Sequence, residues 1–384
     1  MTATTVDISR RIELPQLPEV AVGARQRRLR DQARLASFFA RLALKEHVAP
    51  GLHVRPLVGE LFMTDNCNLR CVSCHCWREH TRGELTTAEW CSVIDQLADL
   101  RFLKLNFTGG EPLLRRDVVG LLARATNAGI PELHLNTNAL LLDDRRLDAV
   151  LGAGVRSFNI SVDGPTPEVH DAIRGKDGAF ATTVGRIREL LARRDELDLQ
   201  VRMNFTVLRD NVAHLPAIAE LAQDLGVRLY LNLGSDQTFL FRDDAVGDHV
   251  HVDRHALDDA LRRLEVLVRA DPRWLPRYSD LRYLPGHFSD IVQRDLPCAE
   301  SQLKLMVHST GEVGGCWGHD GAANVRDQPL ASIIDDPAYR EQHAKLFRKD
   351  CVGCGSNYSL NLRWRPRTYL EDRRFRAGRR ELAP

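Results

Sequence analysis

Three cysteines lie close together in the first quarter of the chain. Cys67, Cys71 and Cys74 form a C-x3-C-x2-C stretch, directly after an apolar run from Leu57 to Met63. Thiolates at such spacing are typical of sites that bind a metal ion or an iron–sulfur cluster. Three thiolates leave one iron of a four-iron cluster without a protein ligand, and open positions are where metal-bound chemistry occurs. The spacing therefore favours a reactive cluster, with a zinc site or three unrelated cysteines as the alternatives.

This stretch resembles the cluster loop of the radical S-adenosylmethionine (SAM) enzymes. The resemblance implies that the three cysteines hold a [4Fe–4S] cluster whose open iron takes the amino and carboxylate groups of SAM. One-electron cleavage of the sulfonium would then release a 5′-deoxyadenosyl radical, which removes a hydrogen atom from the substrate.

Two residues beside the loop need separate interpretation. The family often has an aromatic residue just before the third cysteine, against adenine, and this chain has Ser73 there. Trp77 is the candidate that could supply the ring instead. Cys76 is interpreted first as a buried thiol. Its alternative roles are an occasional ligand or a catalytic hydrogen donor to a substrate radical.

Further candidate SAM-binding residues follow the next predicted strand. Gly109, Gly110 and Glu111 resemble the GGE motif of the family, which binds the SAM amino group. The two glycines let the backbone approach a ligand closely, and Glu111 supplies a carboxylate acceptor at the barrel mouth. An ordinary turn is the alternative for the tetrapeptide alone.

The resemblance extends to the ends of later strands. Asn138 matches a Thr-Asn segment near SAM, with a capping role as the alternative. Ser161 and Asp163 are similar to residues that contact the ribose or carboxylate of SAM. Arg174 could bind the SAM carboxylate through both arms of its guanidinium, or form a surface ion pair with Asp171 or Asp177. Asn204 is a further possible SAM contact.

A second cysteine group lies near the C-terminus, at Cys298, Cys316, Cys351 and Cys354. Four thiolates could close a zinc site or a [4Fe–4S] cluster, and the spacing does not choose between them. The pattern Cys-x12-Gly-x4-Cys followed by Cys-x2-Cys resembles the auxiliary-cluster module called Twitch. The longer SPASM module would continue with three more cysteines, so the resemblance implies one auxiliary cluster.

The surrounding sequence predicts an α/β fold. Between residues 57 and 235, short apolar runs alternate with amphipathic stretches, which indicates parallel strands joined by helices in a partial (β/α)6 TIM barrel. Catalytic groups then gather at the C-terminal ends of the strands. Predicted strands cover 59–64, 102–108, 132–137, 157–162, 200–208 and 228–233, and predicted helices cover 87–100, 116–128, 143–151, 180–194 and 212–225.

Four regions follow from this pattern. Residues 1–56 form an N-terminal arm and a basic amphipathic helix, which we expect to pack against the barrel. The barrel covers 57–235, a connector with one helix covers 236–297, and a small Twitch-like auxiliary iron–sulfur domain covers 298–384. The segment from His308 to Cys316 predicts a β-hairpin.

Composition restricts the function. The 384 residues carry a net charge of +1, which gives no general attraction to nucleic acid or acidic membranes. No apolar run approaches the roughly 18 residues of a membrane span. The nine clustered cysteines favour metal ligation in a reducing compartment, so we predict a cytoplasmic protein.

The sequence thus predicts a radical SAM oxidoreductase of secondary metabolism, for example of antibiotic biosynthesis. The expected reaction is dehydrogenation of a sugar, aminocyclitol or nucleoside, with flavodoxin or ferredoxin as reductant. The alternatives are a carbohydrate epimerase that uses Cys76, and a maturase of a ribosomal peptide. A non-catalytic iron–sulfur carrier or zinc protein is disfavoured, because Gly109, Gly110, Glu111, Ser161 and Arg174 follow successive strands.

Overall fold

The computed structural model describes residues 24–78, 81–234, 248–288, 297–316, 321, 323–348 and 365–377. Its strands are β1 (Val58–Phe62), β2 (Lys104–Thr108), β3 (Glu132–Thr137), β4 (Ser157–Ser161), β5 (Gln200–Val207), β6 (Arg228–Leu233), β7 (Lys304–Val307), β8 (Glu312–Gly314) and β9 (Ala323–Asn324). They form one sheet in the order β6-β5-β4-β3-β2-β1-β7-β8-β9.

The first six strands run parallel in consecutive order. The predicted partial barrel of alternating strands and helices is therefore confirmed. The sheet also extends further than predicted, because β7 pairs in parallel with β1. Strands β7 and β8 form the predicted hairpin, to which β9 adds in antiparallel orientation. This extension covers the backbone edge that β1 would otherwise expose.

The described helices are α1 (Ala24–His47), α2 (Thr87–Asp99), α3 (Val118–Asn127), α4 (Asp144–Gly152), α5 (Pro167–Arg174), α6 (Ala179–Ala192), α7 (Arg194–Leu197), α8 (Leu215–Leu225), α9 (Arg254–Ala270), α10 (Tyr278–His287), α11 (Glu300–Leu303), α12 (Leu330–Asp335), α13 (Pro337–Phe347) and α14 (Pro366–Ala377). Helix α5 was not predicted. Its first residue is Pro167, whose fixed φ and missing N–H are tolerated in a first helical turn.

None of the described helices combines the length and apolarity that crossing a membrane requires.

Local sequence signals explain most helix starts. Helix α2 begins with a capping box between Thr86 and Glu89. The Asp143 side chain accepts the backbone N–H of Arg146 at the start of α4. Asp117 precedes α3 without such a bond, and pairs instead with Arg115 at 2.7 Å.

The core lies between the strands and the surrounding helices. The strand side chains that face the helices are apolar and fully buried, as Leu105, Phe107, Leu135 and Phe158 show. Helix α1 packs on a separate cluster that includes Phe38, Leu42, Leu57, Leu303 and Phe347. Alternate strand residues face the barrel interior, where the side chains are largely polar.

Candidate functional site

The barrel encloses a cavity of about 1170 Å³. Cys67, Cys71 and Cys74 line it together with residues of strands β1 to β7. Lining residues occur at both the start and the end of the strands, so the cavity follows the barrel axis. Its volume exceeds the roughly 300–1000 Å³ of a typical small-molecule site. It therefore has room for a cofactor and a substrate together.

The glycine pair holds the segment that leads into the cysteine loop. Gly110 N donates to Thr64 O at 2.7 Å, and Glu111 N donates to Asn66 O at 2.8 Å. A Cβ on Gly110 would lie 2.2 Å from Asn66 O, and Gly109 has a φ of +125°. Both positions therefore require glycine. The sequence suggested that the glycines let the backbone approach a ligand. In the structure they also let it approach the backbone of the segment before the cysteine loop.

The carboxylate of Glu111 lies behind the glycines. The residue is fully buried and does not line the cavity, so it lies at the barrel mouth, as predicted, but behind the cavity wall. Its Oε1 accepts from Leu113 N and Thr137 Oγ1, and its Oε2 accepts from Asn138 N. Burial raises the pKa of Glu111. The side chain thus connects the turn after β2 to the end of β3.

Asn138 reaches across to the cysteine loop while it lines the cavity. Its Nδ2 donates to Asn68 Oδ1 at 2.8 Å, and its Oδ1 accepts from Leu140 N at 3.0 Å. The bond from Leu140 N is a local turn and not a helix cap, because Asp143 caps the next helix, α4. The predicted contact between Asn138 and SAM stays a prediction. Ser161 also lines the cavity, beside Asn204 in the strand register.

Asp163 and Arg174 form an ion pair beside the cysteines. Arg174 Nη2 lies 2.7 Å from Asp163 Oδ2, and the exposed fractions of the two side chains are 12% and 3%. The sequence suggested Asp171 or Asp177 as possible partners. Asp171 instead accepts from the backbone of Gly178, so that interpretation is wrong.

The ion pair fits a site for an iron–sulfur cluster and an anionic cofactor group. Arg174 Nη1 lies 3.8 Å from Cys71 Sγ, and its Nε is buried without a hydrogen-bond partner among the described residues. Burial alone would lower the pKa of Arg174, but Asp163 and Cys71 raise it. The guanidinium therefore stays charged and favours a thiolate at Cys71.

The thiols differ in how easily they lose a proton. Burial raises the pKa of Cys67 to about 11 and that of Cys71 to about 12. A hydrogen bond with Cys76 lowers the pKa of Cys74 to about 7. Iron must displace these protons, because the thiolate is the ligand.

The ligand geometry also bears on the zinc alternative. A single metal ion needs ligands that converge on one point. No three His, Cys, Asp or Glu side chains do so in the part of the chain that the structure describes. A cubane does not need such convergence, because each thiolate binds a separate iron. The three thiols line one cavity, which is compatible with a cluster.

Trp77 and Cys76 lie outside the lining of this cavity. The Trp77 indole N–H donates to Cys71 O at 3.1 Å, and its ring packs between the guanidinium groups of Arg70 and Arg78. This arrangement does not support the predicted contact between Trp77 and adenine. Cys76 is buried against Cys74, which agrees with a buried thiol and not with a hydrogen donor that reaches substrate.

Comparison with known proteins gives the family. The model described as the radical SAM superfamily matches residues 61–222. The Fe-coproporphyrin III synthase of Methanosarcina barkeri is 32% identical over 331 residues, which cover 79% of this chain and 79% of that protein. The chain belongs to the radical SAM superfamily. It is therefore an enzyme that binds a [4Fe–4S] cluster and SAM.

Other radical SAM relatives match a shorter part. The AdoMet-dependent heme synthase of Methanosarcina barkeri is 37% identical over 172 residues, or 44% of this chain and 47% of that protein. The PqqA peptide cyclase of Rhodopseudomonas palustris is 37% identical over 169 residues, or 44% of each chain. This chain thus spans less than half the length of these two relatives.

A solved radical SAM structure has the same fold. Native anSMEcpe with bound AdoMet superposes with a TM-score of 0.60 at 17% identity, and covers 85% of this chain and all of that chain. At this identity the likeness establishes the fold alone.

The radical SAM barrel of this chain has an unusually charged wall between β1 and β7. Lys304 Nζ lies 3.1 Å from Glu60 Oε2 and 2.5 Å from Glu300 Oε1, and all three residues line the cavity. Burial alone would lower the pKa of Lys304, but the two carboxylates raise it. His134 is also buried there, and burial holds its pKa well below the ordinary value.

Sequence reasoning missed these interior residues, and with them Asn106 and Asn159. Those on strands lie at alternate positions, where polar and apolar residues follow one another, as in Lys104–Thr108, and Glu300 lies on α11. That pattern is a usable signal, since it marks an inward-facing side chain. These residues form no contiguous motif, so the sequence did not indicate them as a site.

Two of the four C-terminal cysteines lie in the described part. Cys298 N donates to Phe347 O at 2.9 Å, at the end of α13. The ring of His343, also on α13, packs against Gly315, the residue before Cys316. Cys351 and Cys354 lie outside the described residues, but they follow α13 directly in the sequence. Both described cysteine segments therefore meet the helix that leads to the other two.

Proposed function

We propose that this radical SAM enzyme oxidises a carbon of a polar, hydroxyl-bearing small molecule, such as a sugar, aminocyclitol or nucleoside. Dehydrogenation of an alcohol in secondary metabolism is the favoured reaction. When bound, the loop cluster and SAM supply a hydrogen-abstracting 5′-deoxyadenosyl radical, and an auxiliary cluster on the C-terminal cysteines would accept the second electron of an alcohol-to-ketone oxidation. A flavodoxin or ferredoxin would supply the initial electron.

The polar interior of the barrel carries this proposal. Ligand sites are predominantly apolar, with few polar groups. Here the strands present carboxamides, carboxylates and cationic groups to the cavity beside the three cysteines, as Asn159, Glu60 and Lys304 illustrate. An apolar ligand would leave these groups without partners. A polyol would satisfy them.

The residues of the chain have distinct proposed roles. Arg174, held by Asp163, supports the loop cysteines and presents its buried Nε to the cofactor carboxylate. The backbone of Gly109 and Gly110 forms the adjacent wall. Oxidation of an alcohol also requires a base for the hydroxyl proton. The carboxylate of Glu60 lines the cavity and is oriented by Lys304 at 3.1 Å.

Isotope transfer tests this reaction. We expect 2-deoxystreptamine, deuterated at its carbinol carbons, to deliver one deuterium to 5′-deoxyadenosine and to yield a ketone in equal amount. Mass spectrometry of both products under anaerobic, reducing conditions measures this. Deoxyadenosine without deuterium, and no ketone from any cyclitol, sugar or nucleoside tested, would contradict the dehydrogenase proposal.

A peptide maturase is the second candidate, because PqqA peptide cyclases are among the relatives. It requires that the chain recognise a precursor peptide. A protein that cleaves SAM and binds such a peptide tightly, while polyols leave its cleavage of SAM unchanged, would be assigned to this class. A carbohydrate epimerase that uses Cys76 is less favoured, because that thiol does not line the cavity.

A further inference from the structure

Four asparagines form a row along the inner wall of the barrel. Asn106, Asn136, Asn159 and Asn204 lie on the neighbouring strands β2, β3, β4 and β5, and all four line the cavity. In each, Oδ1 is buried and has no hydrogen-bond partner among the described residues. We call these residues the carboxamide row. A buried polar atom left without a partner costs about 1–3 kcal/mol, so four along one wall indicate a bound partner.

Asn106 gives the clearest geometry. It is 7% exposed, and its Nδ2 donates to Glu60 Oε2 at 2.8 Å. A carboxylate only accepts hydrogen bonds, so this contact fixes which end of the carboxamide carries the nitrogen. The unbonded atom of Asn106 is therefore an oxygen, and the group it lacks is a hydrogen-bond donor.

Two asparagines outside the barrel interior are bonded at both ends of the carboxamide. Asn211 is fully buried, accepts from Leu208 N and donates to the carbonyls of Asp163 and Thr206. Asn324 accepts from Arg326 N and donates to Thr310 O. Outside the barrel interior, these side chains complete their bonds within the protein. The carboxamide row differs because it faces the cavity.

We infer that the carboxamide row is the substrate-recognition site and takes a ring-shaped ligand with several hydroxyl or amino donors. This inference rests on the proposed function and deepens it by naming the recognising residues. Asn136 and Asn159 are direct neighbours in the strand register. Neighbouring strands lie about 4.8 Å apart, so a ligand that reaches two members carries donors several ångströms apart on one frame.

The chemistry of the row favours hydrogen-bond donors. Carboxamide oxygens and the Glu60 carboxylate all accept hydrogen bonds, so they favour a donor. Cations line other parts of the cavity, and Arg202 is the register neighbour of Asn159. Asn136 is the weaker member, because its carboxamide also lies within reach of the His134 ring. Asn204 lies opposite Ser161, on the side expected for SAM. Asn106 and Asn159 therefore provide the test.

The test replaces each of these two asparagines with leucine in the full, anaerobically reconstituted protein. The probes are myo-inositol and 2-deoxystreptamine, and the readouts are probe affinity, thermal stability and SAM affinity. We expect Asn106→Leu and Asn159→Leu to weaken probe affinity about tenfold each, as loss of one hydrogen bond implies. SAM affinity should stay unchanged. Stability without probe should be equal or higher in Asn159→Leu, whereas Asn106→Leu also removes the bond to Glu60 and should be less stable.

A matched control is Asn324→Leu, which removes a carboxamide that is bonded at both ends on β9. It should lower thermal stability and leave probe affinity unchanged. Asn106→Ala and Asn159→Ala provide the same comparison if leucine prevents folding.

Three results would overturn the inference. They are wild-type probe affinity in both variants, no binding of either probe to the wild-type protein, and a stability loss in Asn159→Leu as large as in the control. In each case continued SAM cleavage would leave the radical SAM activity intact. Failure of the wild-type protein to cleave SAM would instead remove the proposed function.

Discussion

The rim of the barrel and its interior differ in where buried polar side chains find their partners. At the rim, both oxygens of Glu111 and both oxygens of Asp163 are bonded within the protein. In the interior, the oxygens of Asn106 and Asn159 are not bonded among the described residues. The rim carboxylates are thus bonded before any ligand arrives, and in their ion pair only Arg174 Nε has no hydrogen-bond partner among the described residues. In the interior, we infer that a ligand completes the bonds of the carboxamide oxygens.

This difference indicates that the two regions have different functions. A site that binds a cluster and SAM must hold its ligands in one geometry, so its supporting side chains are locked by hydrogen bonds. A site that selects a substrate needs groups whose bonds form only with that substrate. Substitutions at the rim should therefore damage the fold, and substitution of an interior residue whose side chain has no hydrogen bond within the described part of the protein, such as Asn159, should damage recognition alone.

The largest expected effect at the rim is that of Asp163→Asn. Removing the carboxylate leaves the buried Arg174 guanidinium without its counter-charge, which typically costs about 3–5 kcal/mol. We expect a loss of that size in the free energy of unfolding and less iron in the purified protein. Denaturant titration and iron analysis measure both.

A matched control for this substitution is Asp144→Asn. Asp144 pairs with Arg186 on the surface, and its side chain is 80% exposed. The expected loss is about 0–1 kcal/mol. If the two substitutions cost the same, the rim is not organised by its buried ion pair.

The next largest effect is that of Gly110→Ala. The added Cβ would lie 2.2 Å from Asn66 O, a backbone atom that cannot move away independently. Such overpacking costs about 1–3 kcal/mol, and it should displace the cysteine loop and lower its iron content. Gly120→Ala, on the open surface of α3, should instead raise stability by up to about 1 kcal/mol. Equal iron content in the two variants would count against a rim that depends on this close approach.

The smallest effect is a pH dependence from His170. Its Nδ1 accepts from Asp163 N at 3.2 Å, and burial lowers its pKa to about 3. In the unfolded state the His170 ring gains a proton near pH 6.5, whereas in the folded state it stays neutral down to about pH 3. The contribution of the neutral ring to the free energy of unfolding is therefore present above pH 6.5 and is lost as the pH falls toward 3. We expect a loss of up to about 1.4 kcal/mol per pH unit below 6.5.

Urea titrations between pH 7.5 and 5 measure this slope. His170→Gln should flatten it, because glutamine can accept the same bond without a titrating ring. His255→Gln, at an exposed position of α9, should leave the slope as in the wild-type protein. If His170→Gln has the same slope as the wild-type protein, the neutral His170 ring does not cause the pH dependence of the free energy of unfolding.

The sequence predicted the rim better than the interior, for a physical reason. The cysteine loop and the Gly109-Gly110-Glu111 turn are contiguous, so their chemistry is visible in a short stretch. The strands were placed within two residues, because apolar runs are bounded by caps and turns. The pairing of Arg174 with Asp163 and that of β7 with β1 join distant segments, and no local pattern specifies them.

The carboxamide row shows the same limit. Asn204 was noticed only as a further possible SAM contact, and Asn106 and Asn159 were missed. Each is one inward residue on its own strand. Their common function appears only when four neighbouring strands are brought together.

The measurement that tests the central claim most directly is the release of 5′-deoxyadenosine by the anaerobically reconstituted protein under a strong reductant. The account predicts that the wild-type protein, with iron bound at Cys67, Cys71 and Cys74, cleaves SAM, and that Cys71→Ala does not. A protein that binds only zinc, or binds iron and never releases deoxyadenosine, would contradict it.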